Sequence, residues 1–451
     1  MIVRNWLRNY YYDAITKLCK FIIPPGKKIL HIGCRDGKLL AQLHASHGVG
    51  IDSNGEAINV AKSKHKGLIF HCIPPEDFSP SEQFDFIVLS AIGTTNDLYK
   101  VFEVIRTACR KNTRIIIHYH NYFWEPALSL AGKLRLKEPQ PVQNWLTLND
   151  ISNFLYVAGI DVIRKGKELL LPVKIPLLST ILNKYVARLP LFQSLCLVQY
   201  IVARPVIHEA QDLSVSVVVP VRNERGNIER AATSIPKMGK HTEIIFVEGN
   251  STDGTKEEIE RVMNRYKSKD IKLFVQKGSG KWNAVRMGFD NASGDVLMIC
   301  DGDLTTPPED LSKFFDVVAS GKGEFVNASR FVYQMEGYSM PFANKLVNKF
   351  FSTVFKWLLG QRLTDTLCRT KVLLKRDYLE MKKQDYFLPN DRFGDFSLIF
   401  GATKANLKII EIPIAYKART YGNTKISGFE SGWLLLKVML KGMKLLKFFS
   451  I

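Results

Sequence analysis

The sequence predicts an α/β protein built as two doubly wound domains followed by a C-terminal amphipathic helix. Three observations lead there. The chain has 451 residues, more than one hydrophobic core ordinarily serves, so two or three units are expected. Short apolar runs that end in glycine or polar residues, each followed by a helical pattern, occur in two separate series, one from Lys28 to His120 and one from Val215 to Pro308. Such alternation winds helices around a mostly parallel sheet. Between the two series, residues 206–213 (VIHEAQDL) break periodicity and read as a linker. The predicted segments are 1–205, 206–213, 214–427 and 428–451.

Composition narrows the class. Apolar residues make up 46% and charged residues 24%, proportions of a globular chain and not of a disordered one. The net charge of +20 implies a polyanionic partner: nucleic acid, anionic lipid or a phosphorylated substrate. Cys19, Cys34, Cys72, Cys109, Cys196, Cys300 and Cys368 include no C-x-x-C pair, which argues against a zinc ribbon or a disulfide framework and for a reducing cytoplasm. The first residues lack a signal-peptide apolar core, and no apolar run is long enough to span a bilayer. Membrane contact is therefore expected to be peripheral.

Around Trp6, Tyr10, Ile15 and Leu18 apolar residues recur at helical spacing up to a Pro-Pro-Gly turn at Pro24–Gly26. The stretch KKILHIGCRDGKLLAQL then gives a strand, a corner at Gly33, Cys34, Arg35, Asp36 and Gly37, and a helix. Glycines at such a corner let backbone N–H groups approach an anion or a polar cofactor. VGID ends the next apolar segment in Asp52, placed where a strand-end carboxylate can accept both ribose hydroxyls. FDFIVLS, RIIIHYH and LCLVQYIVARP supply further strands, the last of them closing the domain. His118 and His120 flank Tyr119 and face opposite ways, so they read as ordinary strand-end histidines and a poor metal pair.

These residues resemble the class I S-adenosylmethionine-dependent methyltransferases, which have a Rossmann-like fold. The resemblance puts the glycine motif on Gly33, Arg35 and Gly37, the ribose-binding acid on Asp52 and the adenine-contacting acid on Asp77, with S-adenosylmethionine as the implied cofactor. The sequence departs at Arg35, where a glycine is usual, and at His31, where an acidic residue is common. A Rossmann-like domain that binds nothing is the alternative.

The second series opens with SVSVVVPVRNE, a buried strand turning at Pro220 into Arg222, Asn223 and Glu224. Polar groups there can read the edge of a nucleobase. EIIFVEGNSTDGT repeats the design: Val247, Glu248 and Asn250 end a strand, and Ser251, Thr252 and Asp253 can cap a helix. KLFVQKGSGKWNAVRMGF places Lys281 on a positive turn but fails the G-x-x-x-x-G-K-[ST] spacing of a P-loop. The fourth unit, VLMICDGDLTTPP, ends a buried strand in Asp301, Gly302 and Asp303. Aspartates one residue apart can share Mg²⁺ or Mn²⁺ with the help of substrate phosphates. For an isolated D-x-D, a strand end before a Pro-Pro turn is the plainer reading.

Four such units in this order resemble glycosyltransferase family 2 and its GT-A fold. NASR, LTDTLCRTKVLLKRDY and EIPIAYKARTYGNTKIS further resemble the dolichol-phosphate mannosyltransferase branch, which glycosylates a polyprenyl phosphate. The resemblance implies a nucleotide-sugar donor on Pro220, Arg222, Glu224 and the Val247–Asn250 turn, a metal on Asp301 and Asp303, and phosphates held by Arg330, Arg419 and Lys425. Where the family commonly has two aspartates after the second strand, this chain has Glu248 and Gly249. Asp365 and Asp395 are candidate general bases for an alcohol acceptor. An anionic phosphate acceptor needs positioning and charge neutralisation in place of a strong base. A salt bridge or helix cap is the structural alternative for each.

The tail GFESGWLLLKVMLKGMKLLKFFSI gathers Lys437, Lys441, Lys444 and Lys447 along one side of a helix, with Trp433, Leu436, Met439, Leu440, Met443 and Leu446 on the rest. It reads as a helix for an anionic membrane surface or, alternatively, as a core helix with solvated lysines. Together these observations predict a cytoplasmic, peripheral enzyme on the inner face of the membrane that moves one sugar to a polyprenyl phosphate or related acceptor. Two rival readings stand beside it: methylation as the main activity with the second half as a targeting module, and a non-catalytic binder of anionic membrane or nucleic acid. No RNA-binding signature is present, so nucleic acid is not expected as a partner.

Overall fold

A computed structural model describes residues 2–90, 92–93, 95, 97–133, 146–207, 212–330, 342–366, 368–388, 394–415, 417, 421 and 428–448. The chain divides into one unit of Met1–Ile207 with Lys447–Ile451 and a second of His208–Leu446. Among the described residues no helix is long and apolar enough to cross a membrane. All seven cysteines are free.

The first unit runs α1 (Ile2–Ile22), β1 (Lys28–Ile32), α2 (Lys38–Gln42), β2 (His47–Asp52), α3 (Gly55–Lys64), β3 (Ile69–Cys72), β4 (Phe84–Leu89), α4 (Leu98–Thr107) and β5 (Cys109–His120). It continues with α5 (Glu125–Lys133), α6 (Leu148–Val157), β6 (Ile160–Glu168), α7 (Leu178–Lys184), α8 (Pro190–Gln193) and β7 (Val198–Pro205). The seven strands stand in the order β3-β2-β1-β4-β5-β7-β6. The first five are parallel, and β7 runs antiparallel to both β5 and β6. The strand predicted from LCLVQYIVARP is last in chain order but lies inside the sheet, fully buried, because β6 takes the edge. Its apolar run Tyr200–Ala203 fits burial on both faces, and Arg204 is buried beside Asp161 at 3.5 Å. The order reverses between β1 and β4, which opens a crevice at their C-terminal ends.

The second unit runs β8 (Val215–Val221), α9 (Ile228–Ser234), β9 (Thr242–Glu248), α10 (Thr255–Arg265), β10 (Asp270–Val275), α11 (Lys281–Asn291), β11 (Val296–Ile299) and α12 (Leu311–Ala319). Then come β12 (Phe325–Ser329), α13 (Phe342–Leu359), β13 (Lys371–Leu374), α14 (Lys375–Lys383), α15 (Asp395–Lys404), β14 (Ile409–Pro413) and α16 (Gly428–Leu446). Its sheet has the order β10-β9-β8-β11-β13-β12-β14. β13 alone runs against its neighbours β11 and β12. The switch point falls between β8 and β11, so the turns after β8, β9 and β11 share one edge of the sheet.

One buried acid locks that arrangement from the opposite end. Glu243, at the start of β9, accepts from the Ser216 hydroxyl, from Lys272 Nζ at 2.5 Å and from the Ser293 N–H at 2.6 Å. Burial pushes its pKa up, but these donors outweigh burial and hold it at about 2. A depressed acid stabilises the fold above the ordinary glutamate pKa of 4.5, and that contribution is lost as pH falls toward about 2. Glu243→Gln is therefore expected to destabilise the second unit by about 2 kcal/mol at pH 7. In urea unfolding the difference from wild type should vanish as the acid titrates.

The C-terminal helix uses its apolar side internally. Val438 and Leu446 are buried in the second unit's core, Met443 packs against it, and a methyl on Gly442 would crowd Phe400 and Leu358. Lys437, Lys441 and Lys444 are exposed, as the spacing predicted, whereas Lys447 lies past the end of α16 and is half-buried, its pKa pushed down to about 8 by burial. Of the predicted apolar residues, Leu446 is buried and Leu436, Met439 and Met443 are half-buried, while the side chain of Trp433 lies outside the described residues. Leu440 remains exposed.

Candidate active site

The site of the second unit is assembled from strand ends. After β8, Asn223 takes φ 55° and its backbone N–H donates to Ser251 Oγ at 2.9 Å, while its side-chain oxygen accepts the Thr252 N–H at 2.9 Å. Glu224 is buried and accepts from Asn227 Nδ2 at 2.7 Å. After β9, buried Glu248 accepts the Ser251 N–H at 2.5 Å, and Asn250 takes φ 57°. These cross-bonds join the Pro220–Glu224 and Val247–Asn250 turns into one wall. Pro220 is half-buried, Arg222 is exposed and Val247 is buried in the strand. Buried Gln276, which the sequence did not single out, donates to the Gly280 carbonyl at 2.8 Å within the third turn, and its own carbonyl accepts Asn250 Nδ2 at 3.3 Å, which ties the third turn to the second.

Asp301 and Asp303 stand at the end of β11, both buried. Gly302 between them is required by packing: a Cβ there would lie 2.7 Å from Val221 Cγ1 and 3.0 Å from the Pro220 carbonyl. The acidic turn and the Pro220 turn are therefore in direct contact. Lys281 Nζ, at the start of α11, donates to Asp301 Oδ1 at 2.7 Å. An ammonium at a helix N-terminus opposes the helix dipole, and the carboxylate offsets it. Burial pushes the Asp301 pKa up, but Lys281 and then Arg369 outweigh it, and the carboxyl is held below the ordinary aspartate range. Asp303 Oδ1 accepts from Thr305 Oγ1 at 2.9 Å, and its Oδ2 lies 3.7 Å from Arg369 Nη1.

Two further cations and an acid complete the group. Lys371, fully buried at the start of β13, donates to Asn327 Oδ1 at 2.8 Å and to the Cys368 carbonyl at 2.5 Å, and lies 3.8 Å from Asp395. Asp395 opens α15, where the dipole favours a carboxylate. Trp282 packs so closely on Gly394 that a methyl there would overlap the indole, which draws the starts of α11 and α15 together. Burial raises the Asp395 pKa, with Lys281 and Lys371 opposing. Arg369 and Lys371 escaped the sequence reading, although both stand in LTDTLCRTKV. Their alternation at a strand start was the available signal.

Arg330 is fixed by Asp365: its Nε and Nη2 reach the two carboxylate oxygens at 2.7 and 2.8 Å, and its backbone N–H adds a third bond. Asp365 also accepts the Cys368 N–H at 3.0 Å. Arg419 and Lys425 lie outside the described residues.

In the first unit, Gly33, Arg35 and Gly37 all take positive φ, at 78°, 51° and 73°. Arg35 thus adopts the backbone for which glycine is usual, at a cost of about 1 kcal/mol. Its N–H donates to Asp52 Oδ2 at 2.8 Å, and its guanidinium donates to Tyr12 Oη at 2.5 Å. Asp77 is exposed and pairs with Lys100 at 3.1 Å. His31 and His118 are joined through Ser90 Oγ at 2.9 and 2.7 Å. Burial pushes both imidazoles down, to about 3 and about 4, so they stand neutral.

Among the described residues no three His, Cys, Asp or Glu gather as a metal cluster. Two carboxylates suffice for a hard cation only with further oxygen donors, such as phosphates. The positive groups already drawn to Asp301 and Asp303 mark the pair as a place that favours a cation, so the residues fit Mg²⁺ or Mn²⁺ in company with a diphosphate.

A family model described as Glycosyl transferase family 2 matches residues 216–381, and one described as Methyltransferase domain matches residues 3–165. The dolichol-phosphate mannosyltransferase of Pyrococcus furiosus is 34% identical over 139 residues, covering 30% of this chain and 39% of that protein. The undecaprenyl-phosphate 4-deoxy-4-formamido-L-arabinose transferase of Proteus mirabilis is 26% identical over 220 residues, covering 47% and 63%. The chain spans less than two thirds of the length of either relative. An S-adenosylmethionine-dependent methyltransferase from Mesorhizobium loti matches at 16% identity and a TM-score of 0.32, over 40% of this chain and 91% of that one. The chain carries a methyltransferase domain in its first half and a domain of glycosyl transferase family 2 in its second.

Proposed function

We propose that the second unit transfers one sugar from a nucleotide sugar to a polyprenyl phosphate at a membrane surface. The observation that carries this reading is the pair of buried carboxylates at the end of β11, set against Lys281 and Arg369 beside the joined turns of β8 and β9. The two relatives' names, which specify dolichol phosphate and undecaprenyl phosphate, support the acceptor class.

In this reading Pro220, Arg222, Asn223, Glu224 and the Val247–Asn250 turn hold the nucleoside. Asp301 and Asp303 would hold a divalent cation, which when bound supplies neutralising charge for the leaving diphosphate. Lys281 and Arg369 line the same place and offer N–H donors to diphosphate oxygens. Arg330, kept in one orientation by Asp365, steers the acceptor phosphate with Arg419 and Lys425. An acceptor oxygen attacks the anomeric carbon opposite the diphosphate, which leaves with inversion. Asp365 acts here by positioning, since both its oxygens already bind Arg330. Asp395, with its raised pKa, is the better base should an alcohol be the acceptor. The test is transfer of labelled sugar from a panel of nucleotide sugars, with Mn²⁺, to undecaprenyl phosphate. Inverted product from at least one donor supports the reading; no transfer from any donor defeats it.

A second activity rests on the three positive-φ residues of the Gly33–Gly37 corner and on Asp52 beneath it. We infer that this corner takes S-adenosylmethionine, with Asp77 toward the adenine. At a hundred times its Kd the cofactor stabilises a folded domain by about 2.7 kcal/mol. S-adenosylmethionine should raise the melting temperature of the full chain, and Asp52→Ala should remove that rise. An unchanged melting temperature in the wild type would leave the domain without this ligand.

A further inference from the structure

The first unit carries an exposed apolar surface that neither proposed reaction uses. Between β6 and β7 the chain forms two short helices on prolines, and leucines stand out from them: Leu177 is 76% exposed and Leu191 84%. Beside them Tyr122, Phe123 and Leu130, around the start of α5, are 50%, 58% and 57% exposed. The two groups are physically joined. Trp124 Nε1 donates to the Leu195 carbonyl at 2.8 Å, and Asn121 Nδ2 donates to the Ser194 and Cys196 carbonyls at 2.8 and 2.9 Å. From beneath, Asn183 clamps α7 through both bonds to the Leu171 backbone, at 2.8 Å each. The surface is therefore built and held, although its side chains point outward. Leu177 adds a cost of its own, a leucine kept at φ 63°, a conformation that persists only where the surroundings fix it.

Contiguous apolar surface of this kind marks an interaction site, and the charge around it identifies the partner. Residues 169–207 contain no Asp or Glu, and the cations they offer at the surface are exposed Lys174 and half-buried Lys184, since Arg188 and Arg204 are buried against Glu168 and Asp161. The last acid before the segment, Glu168, is buried and neutralised by Arg188 at 2.5 Å. Lys184 lies over the ring of half-exposed Tyr185 at 5.4 Å, a lysine and a tyrosine at the rim of the leucines. Leucines at the centre and aromatic and lysine side chains at the rim, with no carboxylate in residues 169–207 and Glu125 as the exposed acid opening α5, is a composition that suits the boundary of headgroups and acyl chains. A protein partner would want a rim of both signs and hydrogen-bonding groups, and the segment lacks the acids for it.

We propose that the surface formed by α7, α8 and the start of α5 is the face by which this protein rests on an anionic bilayer. The assignment places a membrane contact on the methyltransferase domain, apart from α16, which gives Val438 and Leu446 to the core of the second unit. It deepens the membrane-borne acceptor proposed above but does not depend on sugar transfer being correct, because lipid binding is read separately.

The experiment is flotation of the full chain with vesicles of phosphatidylcholine alone or with added phosphatidylglycerol. It compares wild type with Leu177→Glu/Leu191→Glu and with the uncharged Leu177→Ser/Leu191→Ser, and unfolding checks each fold. Wild type should float with the anionic vesicles, and both pairs should weaken binding at least tenfold. Transfer to a short, water-soluble polyprenyl phosphate should stay at the wild-type level while transfer to vesicle-embedded acceptor falls. Wild type that stays at the bottom of the gradient would overturn the proposal, as would variants that float equally well. So would a wild-type dimer that the substitutions convert to monomer without changing flotation, since the face would then belong to a second copy. If no acceptor is glycosylated, the flotation result still decides this inference while the transfer reading fails alone.

Discussion

Asp303→Ala is expected to lower sugar transfer at least about a thousandfold, with little change in the stability of the second unit. The large effect on rate follows from where charge develops. When the anomeric bond breaks, negative charge builds on the departing diphosphate in a buried crevice, where each fixed countercharge is worth several kcal/mol. Asp303 shapes that place twice over: it is one of the two carboxylates proposed to hold the cation, and it lies 3.7 Å from the Arg369 guanidinium. The small effect on stability follows from its place in a turn after β11, where the Thr305 N–H and hydroxyl that donate to it can turn to water. Steady-state transfer and urea unfolding of the same preparation check both halves. Turnover within tenfold of wild type would remove Asp303 from the reaction.

Lys371→Met is expected to destabilise the second unit by about 3–5 kcal/mol at neutral pH, the usual consequence of removing one member of a buried charge group. The ammonium is fully buried, donates to Asn327 and to the Cys368 carbonyl, and lies 3.8 Å from Asp395 as an ion pair. Methionine fills similar space but removes both donations and the countercharge beside Asp395. The loss should depend on pH with a definite sign. Asp395 has a raised pKa in the fold because burial opposes its charge, so it takes up a proton on folding more readily than when unfolded. Its unfavourable contribution is absent at acid pH and grows as pH rises from the ordinary carboxylate range through its raised value. Without Lys371 that penalty enlarges, and Lys371→Met should lose most above this range. Adding Asp395→Asn should recover a good part of the loss, a coupling that a double-mutant cycle measures. A single-variant loss below about 1 kcal/mol would contradict this account of the buried group.

Much of this architecture is legible because strand ends advertise themselves. Gly33, Asp52, Glu248 and the Asp301–Asp303 pair each follow or end an apolar run, and each stands at the C-terminal edge of a parallel strand. Other features depend on tertiary contacts that no local pattern encodes. Arg369 and Lys371 meet Asp303 and Asp395 only because β13 runs antiparallel beside β11. β6 was obscured by IDVIRKGKE, a mixed pattern that becomes a strand by pairing with β7. In α16 the alternation of lysine and leucine was visible, but the close approach of Gly442 to Phe400 and Leu358, far away in the chain, was not. Nothing local in the sequence sets Leu177 and Leu191, between β6 and β7, apart from core leucines, and the fold leaves them outside.

The most direct test of the central claim is calorimetric titration of the full chain with UDP and with GDP in the presence of Mn²⁺, repeated on Asp303→Ala. The claim predicts saturable binding of at least one nucleotide that needs Mn²⁺ and is lost in the variant. No binding of either nucleotide to the wild type, or equal binding to the variant, would contradict it.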